Sequence, residues 1–258
     1  MKTLKKLFKS IAVAFSIYSW IPMPRFDWDS EDMDYHLIFF PWVGAVIGAL
    51  DLLWIMCASR LGLQELTRVL VAMTIPLLIT GGFHVDGFMD TCDALKSYGD
   101  RGKKLEILKD PHIGAFSVIC LVIYMLLAAA GIAQVRGERA ALQLAIVPVI
   151  SRAVSGLIVT LMTPAKKDGM LRASSDNNAT KVVAPVLIIT LIIGAVAMVI
   201  VSMISGIAIL AVESLFFLYF RRMADRQFGG VTGDLAGFYL VMAELIAVIT
   251  AAACSILY

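Results

Sequence analysis

Residues 67–94 read TRVLVAMTIPLLITGGFHVDGFMDTCDA, an apolar run that leads directly into a cluster of acidic residues. In that cluster Asp86, Asp90 and Asp93 stand at i, i+4 and i+7. On a helix this spacing places all three carboxylates on one face, with neighbouring side chains roughly 5–6 Å apart. Like charges so close repel one another unless a cation lies between them. Mg²⁺ takes oxygen ligands and usually shares them with substrate phosphates. The segment therefore predicts a magnesium–diphosphate site at a membrane surface.

The composition indicates the class of protein. The chain has 258 residues, of which 60% are hydrophobic and 16% are charged. A soluble domain of this length does not need so much apolar surface, so we predict an all-α, polytopic membrane protein. The net charge of +2 is too small to indicate a nucleic-acid partner. The four cysteines are scattered, with neither a CxxC pair nor zinc spacing, which argues against a disulfide framework and a zinc site.

Seven apolar runs approach the length of about 20 residues that a membrane-spanning helix needs. They lie at 36–58, 67–89, 113–134, 140–162, 182–204, 207–221 and 236–257. The fifth and sixth runs meet at Ser205-Gly206, which predicts a tight helical hairpin. The N-terminal segment, residues 1–35, begins with a basic and amphipathic stretch and is predicted to lie in the membrane interface. The whole chain, 1–258, is thus predicted to form one membrane-embedded domain.

The distribution of basic residues predicts the orientation of these helices. With the N-terminus in the cytoplasm, 17 of the 22 Lys and Arg residues fall in cytoplasmic regions, four fall on the opposite side, and Arg152 lies inside a span. Cytoplasmic loops of membrane proteins carry an excess of Lys and Arg. We therefore expect the polar loops 94–112, 163–181 and 222–235, and with them the active face, on the cytoplasmic side of the cell inner membrane.

Two polar elements beside the acidic cluster contain candidate substrate-binding residues. In the first, which opens the third span, Lys109 is a candidate phosphate contact and Asp110 a candidate metal ligand or hydrogen-bonding carboxylate. An ordinary helix start with Asp110 as N-cap is the alternative. The second, GGVTGD at 229–234, is suited to a backbone nest for an anion, with Thr232 and Asp234 beside it, or to a plain turn capped by Asp234.

Four further residues are candidates because of where they lie. Arg152 is costly in lipid unless it is paired or faces a wet cavity, so we consider contacts with a substrate phosphate or with a buried acid. His84 is considered as a general base, as a group that orients a carboxylate, or as an interfacial residue without a catalytic role. Gly82, which follows Gly81, and Gly87 allow close backbone approach or a break in the helix, and beside the aspartates they are predicted to make room for a phosphate.

Together these motifs resemble the cobalamin synthase family, the adenosylcobinamide-GDP ribazoletransferases. The family's GGxHxDGxxDxxDA pattern is matched at 81–94, its KDxxxGAF-type pattern at 109–116, and its GGxTGDxxG pattern at 229–237. The segment Asp110-Pro111-His112 departs from the pattern, where a small polar residue is expected. The resemblance extends over the length of the chain.

The resemblance implies a defined reaction. A ribose hydroxyl of α-ribazole, or of its 5′-phosphate, attacks the cobinamide-linked phosphorus of adenosylcobinamide-GDP, and GMP leaves. Mg²⁺ held by Asp86, Asp90 and Asp93 would bridge the diphosphate, and one of these carboxylates or His84 would take the hydroxyl proton. The lipid bilayer, other late enzymes of cobalamin biosynthesis and a second copy of the chain are the further partners to consider.

Two other classes of protein share parts of this pattern. CDP-alcohol phosphotransferases have a similar aspartate array, but their Ala-Arg after the second aspartate is missing here; prenyltransferases with an Asp-rich motif are a related alternative. A transporter or channel would use the embedded charges of Asp51, Arg152, Glu213 and Glu244 as a path. Internal repeats are not apparent in the sequence, and the polar loops are concentrated on one face rather than meeting at mid-membrane, which disfavours a transporter.

Overall fold

The computed structural model describes residues 2–24, 26, 33–165 and 177–257. These residues form helices and the turns between them, and their one β-type pairing is an isolated bridge between Pro164 and Val231. The prediction of an all-α protein is confirmed. Most of the predicted polar loop 163–181 lies outside the described residues.

The described part of the chain contains ten α-helices, and a short 3₁₀ helix, His36–Phe39, leads into the second of them. The α-helices are α1 (Lys2–Tyr18), α2 (Phe40–Arg60), α3 (Glu65–Thr80), α4 (Phe83–Lys96), α5 (Arg101–Ile107), α6 (Ala115–Gln134), α7 (Glu138–Leu161), α8 (Asn177–Val201), α9 (Met203–Gln227) and α10 (Gly233–Leu257).

Six helices among the described residues are long and apolar enough to cross a membrane: α2 with its 3₁₀ turn, α6, α7, α8, α9 and α10. The bent pair α3 and α4 makes a seventh span if the two are counted as one. The predicted multi-pass bundle is therefore confirmed. Helix α1 has 17 residues and packs against α2 through Phe15, Val43 and Ile47; its position in the membrane interface stays a prediction.

The structure corrects the second predicted span, 67–89, because the apolar run is not one helix. Helix α3 ends at Thr80, and α4 begins at Phe83 at an angle of 96° to it. Gly81 and Gly82 both have positive φ, 63° and 78°, a conformation that ends a helix and that glycine adopts without steric cost. A Cβ on Gly81 would also overlap the indole of Trp20. The aspartates therefore belong to a separate helix that turns away from the span.

The break between the fifth and sixth spans also differs from the prediction. It lies at Ser202, which is extended, and not at Ser205-Gly206, so α9 is longer at both ends than the predicted run 207–221. Gly206 lies inside α9, where its missing side chain lets the helix approach the Met198 carbonyl. Gly206 therefore serves close helix packing and not a turn.

Helix α10 forms the centre of the bundle and packs against α4, α6, α7 and α9. Its residues from Leu235 to Val241 are all buried. Aromatic side chains join it to its neighbours: Phe238 stacks on Phe88 of α4 at 5.8 Å, and Tyr239 packs against Phe220 of α9 at 5.1 Å between ring centroids. This packing fixes α4, and with it the aspartates, against the first turns of α10.

Candidate active site on the aspartate helix

Helix α4 meets the N-terminal turn of α10 in direct backbone contact. A Cβ on Gly87 would stand 2.8 Å from the Cα of Asp234, closer than any real side chain tolerates. Only glycine at position 87 allows this approach of the two backbones; that Gly87 makes room for a phosphate stays a prediction. The contact brings Asp234 to the turn of α4 that carries Asp86 and Asp90, although residues 90 and 234 are far apart in the sequence.

The three aspartates of α4 do not share one environment. Asp86 is exposed and Asp90 is half-buried, and among the described residues neither side chain accepts a hydrogen bond. The charges of Asp86, Asp234 and Asp93 all act on the carboxylate of Asp90. This end of the molecule therefore concentrates negative charge around two carboxylates whose oxygens are open to a ligand.

Asp93 has a different function in the structure. Its Oδ2 accepts a hydrogen bond from the Gly114 N–H at 2.8 Å, and its Oδ1 accepts one from the Ser117 N–H at 3.1 Å. These N–H groups belong to the start of α6 and have no partner within that helix. Asp93 therefore caps α6 from a neighbouring helix and joins α4 to it; the prediction that Asp93 also binds a metal stays a prediction.

The donor chemistry of this face is suited to a hard divalent cation. Within the described ranges, no three His, Cys, Asp or Glu side chains are placed together as metal ligands. Mg²⁺, however, is usually held by one or two carboxylates while substrate phosphates and water complete its shell. Asp86 and Asp90 lie one helical turn apart and accept no protein hydrogen bond in the described structure, so they fit a site of that kind.

The segment before α10 is fixed by two sets of hydrogen bonds. The Leu235 N–H donates to Thr232 Oγ1 at 3.2 Å, so Thr232 caps the helix. One residue earlier, the Val231 N–H donates to the Thr163 carbonyl at 2.9 Å, and the Ala165 N–H donates back to the Val231 carbonyl at 2.9 Å. The plain-turn alternative is thus partly right, with Thr232 rather than Asp234 as the capping side chain.

Lys109 and Asp110 are both exposed in the loop between α5 and α6. Asp110 Oδ1 accepts hydrogen bonds from His112 Nδ1 at 2.6 Å and from the His112 N–H at 3.0 Å, and these bonds hold the pKa of Asp110 below its usual value. Asp110 is not the N-cap of α6, because Gly114 occupies that position. The Asp93–Gly114 bond holds the end of this loop beside α4.

His84 lies on the face of α4 that points into the bundle, about 200° around the helix from Asp86. It is 5% exposed and packs against Phe40, Phe83 and Tyr18 at 5.3, 5.2 and 6.1 Å between ring centroids. Neither ring nitrogen has a hydrogen-bond partner among the described residues. The structure does not bring His84 onto the aspartate face, so its role as general base stays a prediction.

Arg152 is 1% exposed and has a partly buried acid, Glu244, as its partner. Its Nη1 donates to Glu244 Oε1 at 2.7 Å and to the Pro148 carbonyl at 3.1 Å, and Ser151 Oγ donates to the same Glu244 oxygen at 2.8 Å. His84 and Arg152 line one cavity of about 110 Å³ beneath α4. Contact between Arg152 and a substrate phosphate stays a prediction.

The structure also shows a contact that sequence reasoning could not identify. Arg101, the first residue of α5, donates from Nε to the Arg226 carbonyl at 3.0 Å near the end of α9. The same side chain lies within 4 Å of the space beside Gly229. Arg101 therefore links the loop after α4 to the glycine-rich segment before α10. Neither hydropathy nor residue spacing indicates that these two segments are neighbours.

Comparison with known proteins identifies relatives along nearly the whole chain. The cobalamin-5-phosphate synthase family matches residues 10–252. A protein of Lachnoclostridium phytofermentans is 38% identical over 94% of this chain and 92% of its own length. One of Pseudomonas syringae pv. syringae is 36% identical over 86% and 89%, and one of Clostridium botulinum (strain Alaska E43) is 31% identical over 96% and 98%. All three are named adenosylcobinamide-GDP ribazoletransferase. No solved structure matches the chain.

Proposed function

Because the chain belongs to the cobalamin-5-phosphate synthase family, we propose that it is an adenosylcobinamide-GDP ribazoletransferase of the membrane. It transfers the adenosylcobinamide phosphate group from adenosylcobinamide-GDP to α-ribazole or α-ribazole 5′-phosphate and releases GMP. The name that its relatives carry supports both substrates. The structural observation that carries the proposal is the open pair of carboxylates, Asp86 and Asp90, held against the start of α10 by the Gly87–Asp234 contact.

In this proposal the outer face of α4 binds the diphosphate of the donor. Asp86 and Asp90 would hold Mg²⁺, which supplies positive charge against the phosphates and the departing GMP. The N–H groups in the first turn of α10 attract the same anionic group, because a helix N-terminus carries partial positive charge. The backbone of α10 occupies the space beside Gly87, whereas the space beside Gly233 at the start of α10 is open and leaves room for the diphosphate.

Proton transfer is the second task of this face. The attacking ribose hydroxyl loses its proton as its oxygen bonds to phosphorus and the bond to the GMP oxygen breaks. Asp86 and Asp90 are open carboxylates on the side of α4 that faces away from the bundle, so either of them can accept that proton. His84 faces the opposite direction, so it could take part in this proton transfer only through a second group on the aspartate side of α4.

We further propose that this face is cytoplasmic and that the protein resides in the inner membrane. The excess of Lys and Arg in the loops on the side of α4 supports this orientation. A nucleotide-activated donor made in the cytoplasm then reaches the aspartates without crossing the bilayer.

The test is transfer by the purified protein in liposomes. Adenosylcobinamide-GDP and α-ribazole 5′-phosphate are supplied with Mg²⁺ or with a chelator, and GMP and the corrinoid product are quantified by chromatography. We expect equal amounts of GMP and cobalamin 5′-phosphate with Mg²⁺ and neither with the chelator. Consumption of a CDP-alcohol with no reaction of the cobinamide donor would contradict the proposal and favour the alternative phosphotransferase class.

A further inference from the structure

A large cavity of about 680 Å³ lies between α7, α8, α9 and α10. Gly237 of α10 faces the backbone of α4. Tyr239 lines the cavity and follows Gly237 by two residues, so it lies on the opposite side of α10, away from α4. The volume falls within the range of about 300–1,000 Å³ typical of small-molecule sites. Most of its wall is apolar, with Ile158, Leu191 and Leu210 among the lining residues. The cavity is separate from the smaller one beneath α4.

Two acidic side chains line this cavity, the exposed Asp225 and the buried Glu213. Glu213 is 7% exposed and lines the cavity, and its Oε1 makes no hydrogen bond in the described part of the chain. A buried polar group without a partner is costly. A carboxyl group with no cation bonded to it is least costly in its neutral acid form, in which it donates a hydrogen bond. The cavity therefore favours a ligand that places an acceptor atom at this depth.

Aromatic rings form part of the wall beside Glu213. Tyr239 stacks on Phe216 with 5.5 Å between ring centroids and an interplanar angle of 16°. Phe217 meets Tyr239 edge-on at 6.2 Å, and both line the cavity. Rings fixed in this way present a rigid apolar surface, which favours a flat aromatic ligand over a flexible one.

The mouth of the cavity is polar and borders the candidate active site. Arg221 lines it about 12 Å along α9 from Glu213, a distance of eight residues at 1.5 Å each, and the carboxylate of Asp225 lines it one helical turn further on. Thr163 lines the same region, and its carbonyl accepts the hydrogen bond from Val231, three residues before Asp234. A ligand with its apolar end at Glu213 would thus have its polar end next to the segment that leads to Asp234.

We propose that this cavity binds the acceptor nucleoside of the transfer reaction. The inference rests on the proposed function, in which that acceptor is α-ribazole or its 5′-phosphate. Its base is a flat, apolar benzimidazole with one unsubstituted ring nitrogen, and that nitrogen accepts a hydrogen bond from Glu213. The ribose points to the mouth, where Arg221 attracts the 5′-phosphate. Donor and acceptor then enter from opposite sides of α10 and meet at its N-terminus.

The first experiment compares Glu213→Leu and Glu213→Gln with the wild type in liposomes. We expect Glu213→Leu to raise the acceptor KM about tenfold, as for the loss of one hydrogen bond, and to leave the donor KM unchanged. Glu213→Gln keeps an N–H donor and should recover much of the difference. An acceptor in which the free ring nitrogen is replaced by a CH group should be disfavoured by the wild type and not by Glu213→Leu.

Two phenylalanine variants on α9 provide a matched control that does not depend on Glu213. Leu210→Phe fills the cavity, whereas Leu215→Phe adds the same bulk at a position that is 66% exposed outside it. We expect only Leu210→Phe to raise the acceptor KM. If the two variants change the acceptor KM equally, the cavity is a lipid-filled groove and the inference is overturned.

The failures of the two proposals are distinguishable. If the wild type forms product but the acceptor KM and the analogue preference are the same in Glu213→Leu and Leu210→Phe as in the wild type, the cavity does not bind the acceptor and the transferase function stands. If the wild type forms no product from either acceptor, the proposed function fails and the inference fails with it.

Discussion

The outer face of α4 and the centre of the helix bundle both concentrate ionisable side chains, and they differ in how those side chains are satisfied. In the bundle, Glu244 accepts hydrogen bonds from Arg152 and Ser151; the Arg152 side chain is almost fully buried and that of Glu244 is 18% exposed. On α4, Asp86 and Asp90 accept no hydrogen bond among the described residues. The Arg152–Glu244 charges are thus matched within the protein, whereas those of Asp86 and Asp90 are available to a ligand.

This difference assigns separate functions to the two regions. A charge inside a membrane bundle is costly unless it is paired, so the Arg152–Glu244 pair contributes to folding only as a pair. The open carboxylates of α4 repel one another, which lowers the stability of the protein, and a bound cation would offset this repulsion. Substitutions of Asp86 and Asp90 should therefore reduce activity more than stability, and substitutions of the Arg152–Glu244 pair should do the reverse.

The largest effect is expected for Asp90→Ala. Removing one of the two open carboxylates should reduce Mg²⁺-dependent GMP release by about 1,000-fold or more, since electrostatic stabilisation of the transition state usually contributes most to the rate of such reactions. The variant should accumulate in membranes and melt at the wild-type temperature or above. Activity within about tenfold of the wild type would show that Asp90 is not part of the site. The proposed difference in function between α4 and the centre of the bundle would then be wrong.

Next in size is Arg152→Leu, which leaves the carboxylate of Glu244 buried without its cation. We expect a loss of about 3 kcal/mol in the free energy of unfolding, measured by denaturation in mixed micelles. The double variant Arg152→Leu with Glu244→Leu removes both charges and should be more stable than Arg152→Leu alone. If the single and double variants are equally unstable, Arg152 and Glu244 do not contribute to folding as a pair.

A smaller loss of activity is expected for Gly87→Ala. The added methyl group would overlap the backbone of Asp234, which forces α4 and α10 apart. We expect GMP release to fall about tenfold to a hundredfold, as for a displacement of about 1 Å at a reaction site. Gly102→Ala is the control, because its methyl group meets only the end of the Asp100 side chain. Equal activities of the two variants would contradict the role of the α4–α10 contact.

The smallest effect is expected for Asp93→Ala, the aspartate that is satisfied within the protein. Loss of a helix cap typically reduces stability by about 1 kcal/mol. Asp93→Asn retains one acceptor oxygen and should lose less. Thermal unfolding of both variants, compared with their Mg²⁺ dependence, separates the two roles: a large rise in the Mg²⁺ concentration needed for activity would show that Asp93 binds the metal after all.

The sequence was sufficient to predict the class of protein and the position of the acidic cluster, because both depend on local residue patterns. It left the bend after Thr80 undecided: Gly81-Gly82 allowed either a helix break or close backbone approach, and the apolar run continues past them. The cap from Asp93 to α6 and the pair between Arg152 and Glu244 depend on which helices become neighbours. Such contacts arise from packing between distant segments, and spacing along one chain does not encode them.

The bend between α3 and α4 also affects the surrounding lipid. Helix α3 has 16 residues and is therefore about 24 Å long, whereas the hydrocarbon core of a bilayer is about 30 Å thick. The lipid beside α3 must become locally thinner, or the turn at Gly81-Gly82 must lie below the headgroups. We therefore expect turnover to depend on bilayer thickness, with short-chain lipids exposing the aspartate helix to water-soluble substrates and long-chain lipids submerging it.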